Sequence, residues 1–255
     1  MYNSSLLQNN SDISRAEKVG TDNRSAEKRY HTLHGENPLI LLVVNPSMDR
    51  FYLENRDPYA YLQLMIGLFF LAAGIVFILK SNLGMGPWSV FHVGITHHLP
   101  VTLGRVTQIV GLIVIIFSFL LNIYPGIGTI LNMVFVGVFI DVVNPYVPPV
   151  DTHVHQITLL GCGIILVGLA TGLYINANLG AGPRDGLMLG LSRKTGRSIR
   201  LVRNSIEVTV LCGGFILGGP VGVGTVVFAL AIGPAVHFFL DIVPERGTTS
   251  PNHHR

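Results

Sequence analysis

Six stretches of this chain are each apolar for close to the length of a bilayer crossing: roughly 60–80, 104–123, 127–144, 157–176, 200–218 and 222–242. A crossing helix needs about 20 mostly apolar residues, and in lipid every backbone N–H and C=O has to be satisfied within the protein. Such runs restrict the fold to a bundle of helices. The third, Ile127 to Asn144, is the shortest. Only 12% of the 255 residues are charged, about half of what a water-facing domain carries. That charge is also segregated: residues 1–36 are polar, and nearly everything from Tyr59 to Val243 is apolar or small. The sequence predicts an all-α polytopic membrane protein of about six transmembrane helices, with the lipid bilayer as its first partner.

A second constraint is internal. Asn82-Leu-Gly-Met-Gly-Pro87 returns as Asn178-Leu-Gly-Ala-Gly-Pro183, and Gly126-Ile-Gly-Thr129 returns as Gly222-Val-Gly-Thr225, both offset by 96 residues. Gly67/Gly163, Gly94/Gly190 and Gly137/Gly233 keep that offset. A coherent series at one spacing is a duplication. It divides the chain into a polar tail (1–58), a first three-span repeat (59–150), a second three-span repeat (151–244) and a short polar end (245–255). Residues 1–47 read either as a disordered tail or as an over-extended reading frame starting in truth at Met48. No basic-then-apolar signal peptide precedes the spans.

An odd number of spans per unit makes the second unit enter the membrane from the opposite side, the inverted-topology arrangement common among secondary transporters. Charge agrees. Arg50 and Arg56 precede the first span; Arg184, Arg193, Lys194, Arg197 and Arg200 lie between spans four and five; Arg246 follows span six. The segment between spans three and four has no Lys or Arg. By the positive-inside rule, both termini are predicted to be cytoplasmic. The links Ile123-Tyr-Pro-Gly126 and Gly218-Gly-Pro-Val-Gly222 are short enough to predict two tight helical hairpins. The net charge of +3 comes with no interleaved aromatics or zinc spacing, so nucleic acid is not expected as a partner.

The Asn-Leu-Gly-x-Gly-Pro element carries the functional expectation. Pro87 and Pro183 suit the first position of a helix, and Gly84, Gly86, Gly180 and Gly182 permit a tight turn and close backbone approach. The segments after the prolines are too short to cross, so they are re-entrant or interfacial helices. Their N-termini either face a central site, where free N–H groups and the positive dipole end favour an anion, or simply make compact turns. The candidate substrate-binding residues are Asn82, Gly84, Gly86, Pro87 and Trp88 in the first copy and Asn178, Gly180, Gly182, Pro183, Arg184 and Asp185 in the second. Asn132 in span three, and Arg203 with Glu207 in span five, join them.

Each of these has a plainer reading beside it. Arg184 and Asp185 form either a gating ion pair or a snorkelling cation beside a dipole-matched acid. Arg203 and Glu207, one turn apart, either neutralise each other or meet a substrate or proton. Gln108 and Asn204 are equivalent positions that suit a shared structural hydrogen bond. Asn132 is interhelical glue or a substrate group. His237 and Asp241 form a proton relay or mark the helix exit. Cys162 and Cys212 read as small, buried apolar residues. Neither they nor the scattered His31, His34, His253 and His254 make a metal set. No motif nominates a nucleophile or a cofactor, so neither an enzyme nor a cofactor is expected.

The run Asn82 through Pro87-Trp88-Ser89, and the run Leu179 through Gly182-Pro183-Arg184-Asp185-Gly186 to Met188 with Lys194-Thr-Gly-Arg197, resemble the YczE-like bacterial membrane proteins, grouped with YyaS and YitT. The resemblance covers about residues 60 to 243. Where that family usually has Asp after Gly-Pro-Trp, this chain has Ser89. The resemblance implies a bacterial inner-membrane location and assigns no catalytic residues. Together these features lead to a small-molecule permease or exporter with its site at the repeat interface. The alternative is a membrane-embedded ligand-binding, accessory or sensor subunit acting with a partner protein. A homo-oligomer is compatible with both.

Overall fold

The structure, a computed structural model, describes residues 58–245. The expectations for the N-terminal tail and for residues 246–255, with His31, His34, His253 and His254, lie outside the described residues. The described chain is all-helical: α1 (Pro58–Ser81), α2 (Pro87–Thr96), α3 (Leu103–Leu120), α4 (Ile127–Val143), a 3-10 turn (Asn144–Tyr146), α5 (His153–Asn176), α6 (Pro183–Thr195), α7 (Ile199–Ile216) and α8 (Val223–Ile242). The predicted spans match α1, α3, α4, α5, α7 and α8, and the two short segments are α2 and α6. Five helices are long and apolar enough to cross a membrane: α1, α3, α4 with its 3-10 extension, α5 and α8. The remaining long helix, α7, has 18 residues but carries Arg200, Arg203 and Glu207.

The outer surface behaves as a lipid-facing one. Leu120, Ile216, Val223 and Leu230 are all exposed, and α8 buries only Gly224 and Thr225. A chain in water does not leave several complete apolar helix faces bare. It is a multi-pass membrane protein.

At the centre α1 and α5 cross. A side chain at Gly67 would meet Ala170 and Tyr174, and one at Gly74 would meet Gly163 and Val167. Rising numbers on one helix therefore meet falling numbers on the other, and the two run antiparallel. Glycine at 74 and 163 lets the backbones touch, the small-residue packing typical of helices in lipid. Leu64, Leu68, Val76, Leu160 and Ile164 fill the surrounding core. Outside this pair, α4 lies on α1 and α8 lies on α5; α2 packs on α7, and α6 on α3.

The turns that link these helices repeat along with the sequence. Asn82 and Asn178 have φ of 55° and 58° and stop α1 and α5 in left-handed geometry; Gly84 and Gly180 follow at 106° and 122°. Asn is among the few side-chain-bearing residues that tolerate this conformation. Each turn docks on the opposite half. The Gly128 amide donates to Leu179 O at 2.8 Å, and the Gly224 amide donates to Leu83 O at 2.7 Å. These two bonds exchange places under the 96-residue offset. So do the pairs Gly67–Ala170 and Gly163–Gly74.

One expectation fails here. The link Gly218–Gly222 does not close a tight hairpin: α7 and α8 scarcely touch, whereas α3 and α4 pack along their length. A short loop limits how far apart two helix ends lie, but it does not make their flanks complementary. The Gly218 turn instead leans on α2, where a side chain at Gly219 would strike Val90 O.

Candidate functional site

The helix starts at Gly86-Pro87 and Gly182-Pro183 open the two short helices, α2 and α6. Neither cap residue offers a side chain to the first-turn amides, and proline occupies the first turn of both. The residues immediately after the prolines are equivalents in the repeat, Trp88 and Arg184, and they meet: the Arg184 guanidinium carbon lies 5.6 Å from the centroid of the Trp88 ring. A cation over an indole face is held by the ring quadrupole. Trp88 is only 7% exposed and packs with Val106, Val110 and Val114 of α3 and with Leu187 and Met188 of α6.

One turn along α2, His92 is 9% exposed, with its ring centroid 6.4 Å from that of Trp88. Thr107 Oγ1 lies 2.9 Å from Leu103 O and 3.2 Å from His92 Nδ1. A carbonyl only accepts, so the single Thr107 hydrogen goes to Leu103 and His92 Nδ1–H donates to Thr107. With the hydrogen on Nδ1, the neutral ring presents a bare lone pair at Nε2. Neither His92 Nε2 nor Trp88 Nε1–H has a hydrogen-bond partner, although both are buried. Buried polar groups normally have partners, and two orphans within one turn mark this spot out.

Around this pair the neighbouring acids have hydrogen-bond partners. Asp185 Oδ2 accepts from Tyr174 Oη at 2.7 Å, so the Arg184–Asp185 gate is not formed. Adjacent helical positions point in different directions, and Tyr174 of α5 holds the acid. Arg203 Nε donates to Glu207 Oε1 at 3.0 Å, the one-turn neutralising pair. His237 and Asp241 pair likewise at 3.3 Å on an exposed face of α8. Asn132 sits beside Gly182, at the start of α6; its counterpart Phe228 sits beside Gly86, at the start of α2.

The other candidates take different places. Asn82 is exposed, while Asn178 is buried with an unpartnered Oδ1. With Gly84 and Gly180 they form the cross-docking turns. Gln108 donates to Val134 O at 2.8 Å, but Asn204 is exposed on α7 and shares no such bond, because α8 is too far away to supply a carbonyl. Cys162 and Cys212 are free and exposed rather than buried, since they sit on helix faces turned away from the core. Among the described residues no group of three or more His, Cys, Asp or Glu is placed to hold a metal ion. His92 and Tyr174 were not singled out from the sequence. For His92 the signal was its position four residues after Trp88, one turn along the same short helix.

A family model described as "Family of unknown function (DUF6198)" matches residues 58–241. The uncharacterized membrane protein YczE of Bacillus subtilis is 39% identical over 176 residues, covering 68% of this chain and 82% of its own. An uncharacterized protein of Haemophilus influenzae is 37% identical over 180 residues, 71% of this chain and 83% of its own. The uncharacterized protein YyaS of Bacillus subtilis is 28% identical over 196 residues, 75% of this chain and 97% of its own. No solved structure matches the chain.

Proposed function

The chain belongs to the DUF6198 family of unknown function, and from that premise we propose that it is a small-molecule permease of the bacterial inner membrane. Its two halves form an inverted repeat of three spans each, with α7 as the sixth span and both termini in the cytoplasm. It carries out no covalent chemistry. The observation that carries this reading is the cross-docking: Leu83 O on Gly224 N and Leu179 O on Gly128 N, around equivalent helices α1 and α5 that run antiparallel. Equivalent helices pointing opposite ways are what an inverted repeat demands, and such repeats place substrate between broken helices near the middle of the bilayer. The orphaned polar groups of Trp88 and His92, beside the contact between Trp88 and Arg184, support a site between the two halves.

Alternating access follows from the difference between the halves. The α3–α4 seam is closed and the α7–α8 seam is open, and under the proposed topology the open seam faces the cytoplasm. When the halves exchange these two arrangements, the opposite side opens around a fixed site. An accessory or sensor subunit remains the second reading.

The test has two stages. In a Cys162→Ser, Cys212→Ser background, single cysteines replace the equivalent, exposed Leu99 and Thr195. Position 99 should react with an impermeant maleimide on intact cells, and position 195 only after the cells are opened. Labelling of both from one side would end the inverted repeat. Purified protein in proteoliposomes should then release the ligand it copurifies with. Flux that needs a second protein would transfer the chain to the accessory class.

A further inference from the structure

We infer that Trp88, His92 and Arg184 together bind a small carboxylate that carries an O–H or N–H donor next to its charge and an apolar substituent behind it. This deepens the permease reading by naming its substrate class, and it rests on that reading for its purpose.

Arg184 begins the case. It stands in the first turn of α6, where the helix dipole is positive and a cation is disfavoured. Among the described residues no carboxylate forms an ion pair with it: Glu207 is paired to Arg203, and Asp185 is bonded to Tyr174. A half-buried guanidinium at the wrong end of a helix, stacked on an indole, has no carboxylate among the described residues in contact with it. Trp88 itself stands in the first turn of α2, whose amides have no side-chain cap. A cation without a contacting anion therefore lies against the Trp88 ring.

The orphaned atoms specify what accompanies the charge. Trp88 Nε1–H is a donor without an acceptor, and His92 Nε2, by the tautomer that Thr107 imposes, is an acceptor without a donor. A ligand that satisfies both supplies an acceptor oxygen and a polar hydrogen to two rings whose centroids lie 6.4 Å apart. A carboxylate alone leaves His92 unsatisfied, and a neutral alcohol leaves Arg184 unbalanced. A 2-hydroxy or 2-amino carboxylate meets all three needs. Val106, Val110, Val114 and Leu187 share one buried apolar cluster with Trp88, which suits a branched apolar substituent. Arg184 is the one cation placed against the Trp88 ring among the described residues, which argues against a dianion.

Trp88 is the only tryptophan in the chain, so its fluorescence reports this site alone. The full chain in lipid nanodiscs is titrated with 2-hydroxyisovalerate, leucine, isovalerate and 3-methylbutanol. The expected result is a saturable change with the hydroxy or the amino acid; which of the two responds identifies the donor. Isovalerate should bind about tenfold more weakly and the alcohol not at all. Arg184→Gln should weaken binding at least about tenfold while His92→Phe erases the preference over isovalerate. A thermal melt of each variant establishes that it is folded, and Arg184→Lys should restore part of the affinity. No saturable change up to about 100 mM of any acid would mean that water alone satisfies these groups, and would overturn the inference. So would equal binding by folded Arg184→Gln, or titration by the alcohol. Binding without flux would leave this site standing and remove the permease reading; flux indifferent to Arg184→Gln would do the reverse.

Discussion

The α3–α4 and α7–α8 seams occupy equivalent places in a duplicated chain, yet one is sealed and the other is open. At the sealed seam, a side chain at Gly104 would collide with Gly137 O and the Asp141 carboxylate, and one at Gly137 with Gln108 and Gly104 O. Asp141 accepts from Thr102 Oγ1 at 2.5 Å and from the Gly104 amide at 2.8 Å. Along the open seam the same positions are Arg200, Gly233, Asn204, His237 and Ser198. Arg200 cannot permit the backbone approach that Gly104 does, and a side chain at Gly233 would meet nothing within 4 Å. The difference shows that the repeated turns are kept while the seams diverge. Under the proposed topology, that divergence gives the two sides of the membrane latches of unequal strength.

The largest effect expected from this contrast is steric. Gly137→Leu forces a side chain into a backbone contact and should cost about 1–3 kcal/mol or more of stability, read as a lowered denaturation midpoint. Gly233→Leu enters open space; it should be neutral, or stabilising by up to about 1 kcal/mol, because glycine is a poor helix residue. Equal losses would mean that the α7–α8 seam is closed in the resting protein. If the halves exchange arrangements during transport, Gly233→Leu should still abolish most flux, since it blocks closure of that seam without harming the fold.

A smaller effect tests the latch. Asp141 caps the start of α3 through a hydroxyl and an amide, and charged acceptors at helix N-termini are the stronger kind. Asp141→Asn keeps the shape and loses the charge, and should weaken the sealed seam by about 1–2 kcal/mol. The readout is local: cysteines replacing Gln108 and Val134 should cross-link with a short bifunctional maleimide in the parent background and less completely with Asp141→Asn. Their equivalents at Asn204 and Leu230 should link poorly in both. A 204–230 link as efficient as 108–134 would remove the asymmetry.

Much of this was legible in the sequence, because apolar length and the Gly-Pro starts are local signals. The helix boundaries agree with the apolar runs to within a few residues, and Pro87 and Pro183 begin helices as their fixed φ dictates. The pairing of Arg203 with Glu207 and of His237 with Asp241 follows from helical spacing. What escaped was everything that depends on which helix lies opposite. The exchange of Leu83 and Leu179 between halves joins residues far apart in the chain, and no local pattern announces it. Adjacency in the chain pairs Asp185 with Arg184, but its hydrogen-bond partner Tyr174 is on the preceding helix. Equivalence of Gln108 and Asn204 suggests a shared bond, although a hydrogen bond needs a carbonyl in reach and Val134 of α4 supplies the one for Gln108.

The smallest effect is also the one that says most about the open seam. Arg203 and Glu207 lie on α7, in the register where α3 has Thr107 and Gly111, with side chains 45% and 30% exposed. If the α7–α8 seam is filled by water, this pair is an ordinary exposed i, i+4 ion pair. A double-mutant cycle of Arg203→Ala and Glu207→Ala should then give a coupling of about 0.3–0.5 kcal/mol that fades with added salt. If lipid or a second protein covers α7 instead, the charges are desolvated, and removing either partner alone leaves an uncompensated ion costing about 3–5 kcal/mol. The single mutants would then be far worse than the double, and salt would matter little. A large, salt-insensitive coupling therefore contradicts a hydrated cytoplasmic opening and favours the reading in which α7 docks against a partner. A small, screened coupling places water beside α7, as a permease open to the cytoplasm needs.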